Sequence, residues 1–238
     1  MRPWQTVFPE LDRQVYAKAG FCDRQPFGQR PALLIIDVVE SFTGTRPEHV
    51  LDSIDEYRMS CGDPAWQALD CIRRLLDACR AQRLPVVYTK GDVTDKYFCG
   101  DSVKGTDPSE VARLYGAPIA PSIAPLPTEY VLEKTKASAF FGTPLASYFY
   151  RLGVDSLLVC GTSTSGCVRA SVVDAFSNNF TVFVVEEGCF DRSPFSHLVN
   201  LFEMNAKYAN VITLDEALAY VAGVEAWRGA PAGARLGR

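Results

Sequence analysis

The chain has 238 residues, 47% of them hydrophobic and 22% charged, which is enough to bury the core of one α/β domain. A formal net charge of −4 gives no basic field that would concentrate phosphates, so we expect no nucleic-acid partner. The opening residues lack the apolar core of a secretory signal and no apolar run could span a bilayer, so we expect a cytoplasmic protein without membrane contact.

Apolar runs of strand length alternate with stretches of helical period along most of the chain. The pattern is typical of a parallel sheet covered by helices on both faces, a three-layer αβα sandwich. We predict a single domain over residues 31–222, preceded by an N-terminal arm (1–30) and followed by a flexible tail (223–238). The predicted strands are 32–37, 85–90, 130–134, 156–161, 181–187 and 210–214.

The segment from about 91 to 129 is rich in Asp, Gly, Pro and Ser. It is too long for an ordinary connection between two strands of a sheet. We therefore predict that it forms an excursion that shapes an active site or a subunit contact.

Four chemically active side chains stand at or just beyond the ends of predicted strands. They are Asp37, Lys134, Cys167 and Arg192. Ligands of doubly wound sheets bind beyond the carboxyl ends of the strands, near the point where the strand order reverses. Asp37 ends an apolar run and needs a cationic or donor partner if it is buried; it is either a structural turn residue or a general base.

Cys167 follows a turn rich in Gly, Ser and Thr and lies near the start of a predicted helix. Free backbone N–H groups and the helix dipole favour a thiolate there and could stabilise an oxyanion. Cys167 could instead be a small packing residue. A phosphate cradle is disfavoured, because the turn lacks the Lys of a P-loop and the G-x-G-x-x-G spacing.

The remaining cysteines and the two histidines indicate ordinary structural roles. The eight cysteines include no C-x-x-C pair, so neither a disulfide framework nor a zinc ribbon is indicated. His49 lies in a polar loop and His197 in a helical stretch, away from the predicted strand ends. Activation of Cys167 by an acid and a lysine is therefore favoured over a Cys–His dyad.

Three stretches together resemble the isochorismatase-like cysteine hydrolases, especially the N-carbamoylsarcosine and maleamate amidohydrolases. They are LLIIDVVESF, VLEKTKASAFFGTPL and VCGTSTSGCVRASVVDAF, within a likeness that covers roughly residues 28–220. The resemblance implies a six-stranded parallel sheet of order 3-2-1-4-5-6 and a catalytic set of Asp37, Lys134 and Cys167. It also implies a cis peptide between Thr162 and Ser163, an oxyanion hole of the Ser163 and Cys167 amides, and a dimeric or tetrameric assembly.

Departures from the family pattern narrow the predicted chemistry. The stretch after the second strand has no histidine, so the metal site of the nicotinamidases is disfavoured and we expect neither metal nor cofactor. The isochorismatases that cleave a vinyl ether lack the nucleophilic cysteine, so amide chemistry is favoured. Arg192 matches the residue that holds the substrate carboxylate in carbamoylsarcosine amidohydrolases, Phe42 is expected to line the pocket, and Lys136 stands where close relatives often have Arg.

The sequence thus predicts a cysteine amidohydrolase that cleaves a linear C–N amide or carbamoyl bond of a small carboxylate-bearing substrate and releases ammonia through a thioester. Two alternatives stay open. One is a hydrolase of a neutral ureido or biuret-type amide. The other is a non-catalytic binding or thiol-redox protein on the same fold.

Overall fold

A single six-stranded parallel sheet forms the centre of the molecule. The computed structural model describes residues 2–93 and 110–227. The strands lie in the order β3-β2-β1-β4-β5-β6, which confirms the predicted fold and strand order. Their bounds are Pro31–Ile36 (β1), Val86–Gly91 (β2), Tyr130–Lys134 (β3), Ser156–Thr162 (β4), Thr181–Phe190 (β5) and Asn210–Ile212 (β6).

Helices cover both faces of this sheet. Those with buried apolar residues facing one side of it are α4 and α9, and those on the other side are α6, α7 and α8. The helices are Glu10–Lys18 (α1), Glu40–Thr43 (α2), Val50–Glu56 (α3), Asp63–Ala81 (α4), Val111–Tyr115 (α5), Leu145–Leu152 (α6), Arg169–Ser177 (α7), Pro194–Lys207 (α8) and Leu214–Gly223 (α9).

The central strand β1 shows how the sequence supplies both layers of the core. All of its residues are buried, and successive side chains point to opposite faces of the sheet. Leu33 and Ile35 pack towards α4, whereas Leu34 and Ile36 pack towards α6 and α7. This two-sided burial explains why the strand reads as a continuous apolar run rather than an alternating one.

The predicted N-terminal arm packs against the domain. It contains a 3-10 helix at Pro3–Thr6 and helix α1. The Trp4 side chain is buried in the core, and the ring of Phe8 lies 4.3 Å from that of Phe202 on α8, measured between centroids. Most of the predicted tail, 228–238, lies outside the described residues.

The predicted excursion folds back over the end of β1. Backbone N–H groups of Glu40 and Ala120 donate to Pro118 and Val38 carbonyls at 2.9 and 3.0 Å. This pairing places α5 beside the carboxyl edge of the sheet. Residues 94–109 of the excursion lie outside the described part, and within the described ranges no helix has the length and apolarity to cross a membrane.

Strands β1 and β4 lie side by side where the order reverses. Their register runs from Pro31 beside Ser156 to Ile36 beside Gly161, so the two strands end level with each other. The backbones approach closely there: a Cβ at Gly161 would lie 2.1 Å from the Ile36 carbonyl oxygen. Gly161 also has a φ of 115°, which side-chain-bearing residues avoid. The site described below lies immediately beyond these ends.

Candidate active site

Asp37 turns the chain sharply just past the end of β1. Its φ is 52°, in the left-handed region that non-glycine residues seldom adopt. Thr89 on the neighbouring strand β2 fixes the residue from two sides. The Asp37 N–H donates to the Thr89 carbonyl at 3.2 Å, and the Thr89 hydroxyl donates to Asp37 Oδ1 at 2.6 Å. The backbone and one carboxylate oxygen are thus held in place.

The second carboxylate oxygen of Asp37 forms a buried ion pair with Lys134. Lys134 Nζ lies 2.8 Å from Asp37 Oδ2, and the two side chains are 5% and 6% exposed. Nζ also donates to the Lys136 carbonyl at 3.0 Å. Burial is the largest single effect and lowers the pKa of Lys134, but the charge of Asp37, the hydrogen bond to it and the contribution of Cys167 together outweigh burial, so the net pKa is raised. Lys134 is therefore a cation across the neutral range.

Cys167 lies in a π-helical turn, Thr164–Val168, that joins β4 to α7. Its half-buried thiol is within hydrogen-bonding range of the side chains of both Asp37 and Lys134. Burial and the charge of Asp37 raise the pKa of Cys167 to about 12, and Lys134 offsets only part of this effect. The thiol is thus protonated at rest beside a carboxylate, whereas the sequence argument from the helix start favoured a thiolate.

The backbone before Cys167 is tightly folded. The Thr162–Ser163 peptide bond is cis. The Ser163 carbonyl accepts the Gly166 and Val168 N–H groups at 2.8 and 3.2 Å. These bonds hold Ser163 and Cys167, the two predicted oxyanion-hole residues, in one compact turn.

A small cavity of about 60 Å³ opens beside the thiol. Asp37, Lys134 and Cys167 line it, and so does Phe42. The other lining residues come from the β1–α2 connection, β2, the excursion and the stretch after β3: Val39, Gly91, Leu114, Tyr115, Thr135, Lys136 and Ala137.

Sequence reasoning missed several of these contributors. Leu114 and Tyr115 belong to the excursion, whose length was the available signal but whose path was not readable. Gly91 matters because a Cβ there would lie 2.6 Å from Tyr115 Cβ, so its small size makes room for that ring. Thr89 could have been noticed as a polar residue near the end of an apolar strand.

Arg192 lies behind the cavity wall. Its guanidinium donates to the Met59 carbonyl and its Cζ lies 5.4 Å from the ring centroid of Phe42. Arg192 is not among the described residues that line the cavity. It thus contacts the pocket through Phe42, not directly.

The two histidines and Cys160 are not among the described residues that line the cavity. His49 is exposed and caps α3, whereas His197 is partly buried and contacts Thr164, a contact that the sequence analysis did not anticipate. Cys160, which a redox mechanism would need as a partner, is fully buried within β4. In the part of the chain that the structure describes, no three His, Cys, Asp or Glu side chains form a metal-binding group.

Comparison with known proteins assigns this arrangement to a family of hydrolases. Residues 31–216 match the model of the isochorismatase domain, and the chain belongs to the isochorismatase family. This confirms the family resemblance drawn from the three sequence motifs and supports hydrolase activity.

Three relatives of known name lie close to this chain. It is 32% identical to the N-carbamoylsarcosine amidase of an Arthrobacter species over 224 residues, covering 89% of this chain and 79% of the relative. It is 34% identical to the maleamate amidohydrolase of Pseudomonas putida, covering 81% and 87%. The solved N-carbamoylsarcosine amidase of Thermoplasma acidophilum superposes with a TM-score of 0.59 at 26% identity, covering 78% and 97%.

Proposed function

We propose that the protein is a cysteine amidohydrolase that cleaves a linear C–N amide or carbamoyl bond of a small substrate. The observation that carries the proposal is the meeting of Asp37, Lys134 and Cys167 at one cavity. A nucleophile beside a base that is oriented by a third group is the arrangement that covalent catalysis requires. The names of the two curated relatives, both amidases of small molecules, support the same chemistry.

The reaction begins with the thiol proton. Asp37 accepts it as Cys167 Sγ attacks the substrate carbonyl carbon, and the carbonyl π electrons move to oxygen. The tetrahedral intermediate collapses, the C–N bond breaks, and Asp37 returns the proton to the leaving nitrogen, which departs as ammonia. Water then attacks the thioester, Asp37 takes a proton from that water, and the released sulfur recovers it from Asp37. No proton or electron is gained or lost by the protein over the cycle.

The electrostatics of the pair suit this sequence of steps. The raised pKa of Cys167 means that the thiol keeps its proton until a substrate is present, which protects it from side reactions. Lys134 pairs with the Asp37 carboxylate before the attack and stabilises negative charge on sulfur during it. The backbone N–H groups of Ser163 and Cys167 are the proposed oxyanion donors, each worth roughly 3 kcal/mol in reactions of this type.

The cavity favours a small substrate that carries a negative charge. Lys134 and Lys136 both line a space of about 60 Å³, and Lys134 pairs with Asp37. As a lysine that lines the cavity, Lys136 is the residue that we propose for attracting a carboxylate of the substrate. Arg192, matched by resemblance to that role, would need to leave the Met59 carbonyl to reach it.

This position of Arg192 favours a second candidate, a neutral ureido or biuret-type amide. The two candidates are separated by Arg192→Ala and Lys136→Ala. For a carboxylate substrate, loss of the recognising cation raises KM strongly, because a charge-assisted hydrogen bond is lost. For a neutral substrate, both variants keep a KM close to that of the wild type.

The direct test is ammonia release from a panel of N-carbamoylsarcosine, maleamate, nicotinamide, ureidoacrylate and biuret. We expect turnover of at least one carboxylate-bearing linear amide by the wild type and none by Cys167→Ala. Cys71→Ala is the matched control, because Cys71 is also half-buried but lies on α4. Wild-type rates in folded Cys167→Ala would contradict the proposal.

The proposed setting is a cytoplasmic homo-oligomer, a dimer or a tetramer. This rests on the resemblance, and on an excursion that brings α5 to the cavity rim. Light scattering of the purified protein gives the stoichiometry. A monomer at assay concentration would remove this part of the proposal without affecting the chemistry.

A further inference from the structure

The backbone carbonyl of Phe190 accepts hydrogen bonds from the hydroxyl groups of the residues on both sides of Ser163. Thr162 Oγ1 and Thr164 Oγ1 donate to the Phe190 carbonyl at 3.2 and 3.1 Å. Both threonines are buried. The residue proposed as an oxyanion donor is therefore bracketed by two side chains bonded to the same point on β5.

The hydroxyl proton of Thr164 has one direction that satisfies both of its neighbours. A carbonyl only accepts, so the single hydroxyl proton of Thr164 goes to Phe190. Thr164 Oγ1 also lies 2.8 Å from His197 Nδ1 and must accept there. Burial lowers the pKa of His197 and favours the neutral ring, and the tautomer with the proton on Nδ1 is the one that donates to Thr164.

Ser165, the next residue of the turn after Thr164, is held by Asp191 in the connection between β5 and α8. The buried carboxylate of Asp191 accepts the Ser165 N–H and hydroxyl through Oδ2, at 2.8 and 2.7 Å. Its Oδ1 accepts the Arg192 N–H at 2.8 Å. Two successive residues of the turn that carries Cys167 are thus tied to residues 190–197.

We propose that His197 is a positioning residue that acts through Thr164 to fix the turn bearing Ser163 and Cys167. It touches neither substrate nor thiol. The inference rests on the proposed function, in which the amides of Ser163 and Cys167 must face the substrate oxygen. An error of about 1 Å in such a group can reduce the rate by about 100-fold.

Matched substitutions separate this hydrogen bond from simple packing. Thr164→Val removes the hydroxyl at nearly constant volume, whereas Thr164→Ser keeps it. His197→Leu removes the donor, whereas His197→Asn places an amide nitrogen near the position of Nδ1. His49→Leu is the control for the chain's other histidine, which is exposed and caps α3.

We expect kcat to fall by about ten-fold or more in Thr164→Val and His197→Leu, with KM within about two-fold of the wild type. Thr164→Ser and His197→Asn should recover most of that loss, and His49→Leu should show none. The double variant Thr164→Val/His197→Leu should be no worse than Thr164→Val alone, because both substitutions break the Thr164–His197 bond and Thr164→Val also removes the bond to Phe190. Circular dichroism and Tm confirm that each variant is folded at the assay temperature.

Alkylation of Cys167 by iodoacetamide, followed on the Cys167 peptide by mass spectrometry, tests the inference without an amide substrate. A loosened turn exposes the thiol, so the rate should rise about three-fold or more in Thr164→Val and His197→Leu, and much less in the conservative pair. Failure of the wild type on every amide refutes the proposed function and leaves this readout intact. The positioning role is overturned if folded Thr164→Val and His197→Leu variants show wild-type kcat and alkylation rates. It is also overturned if His197→Asn is as impaired as His197→Leu.

Discussion

The buried pair of Asp37 and Lys134 makes a quantitative prediction about Asp37→Asn. The substitution is nearly isosteric and keeps an acceptor for Lys134, but it removes the negative charge that lies 2.8 Å from Nζ. Lys134 is then left as an almost fully buried ammonium with neutral acceptors only, the new amide oxygen and the Lys136 carbonyl. Activity should be lost, because the amide cannot accept the thiol proton.

The magnitude of the destabilisation follows from that burial. Breaking a buried ion pair on one side costs about 3–5 kcal/mol, because the other charge stays desolvated. For a chain of this size each kcal/mol lowers Tm by about 2–4 °C, so Tm should fall by about 6–20 °C. Lys134→Met introduced on the Asp37→Asn background should restore part of this loss, because it removes the stranded charge.

Differential scanning calorimetry at neutral pH measures the effect, with Glu133→Gln as the matched control. Glu133 precedes Lys134 in β3, and its Oε1 lies 3.2 Å from Lys90 Nζ in an exposed ion pair. Glu133→Gln therefore makes the same acid-to-amide change at the surface. That change should cost about 0–1 kcal/mol. If Asp37→Asn melts within 2 °C of Glu133→Gln, or if Lys134→Met lowers Tm further on the Asp37→Asn background, the reasoning from burial is wrong.

Three further predictions concern the thiol and two glycines. Because the folded pKa of Cys167 is raised to about 12, its alkylation rate should still rise with pH at pH 10, whereas a free thiol is half ionised near pH 8.5. Above about pH 8.5 the folded chain keeps a proton on Cys167 that the unfolded chain loses. This group therefore lowers the free energy of unfolding as the pH rises above about 8.5. A plateau below pH 9 in the alkylation profile would contradict this. Gly91→Ala should displace Tyr115, whose Cβ would lie 2.6 Å from the new Cβ, and should change KM more than kcat in the amide assay. Gly161→Ala should cost at least about 3 kcal/mol in a denaturant titration, because the new Cβ meets the Ile36 carbonyl at 2.1 Å and the backbone φ is 115°; an unchanged midpoint would refute the contact.

The sequence determined the layers and the edge at which the chemistry lies. Continuous apolar runs such as that of β1 can be satisfied only by burial on both faces, and parallel strands present their carboxyl ends together. Those two facts place Asp37, Lys134 and Cys167 at one edge of the sheet. The family resemblance then gave the strand order that the structure confirms.

Tertiary structure alone decided the electrostatics and the walls of the site. The pKa of Cys167 depends on burial and on the charge of Asp37, 130 residues earlier in the chain, and no local pattern reports either quantity. The contact of His197 with Thr164 and the position of Arg192 against Phe42 likewise depend on how segments that are distant in the sequence pack together. Local sequence sets periodicity and turn chemistry through neighbouring residues. Desolvation and long-range hydrogen bonds are properties of the packed molecule. Desolvation and long-range contacts set the protonation of the thiol and the shape of its pocket.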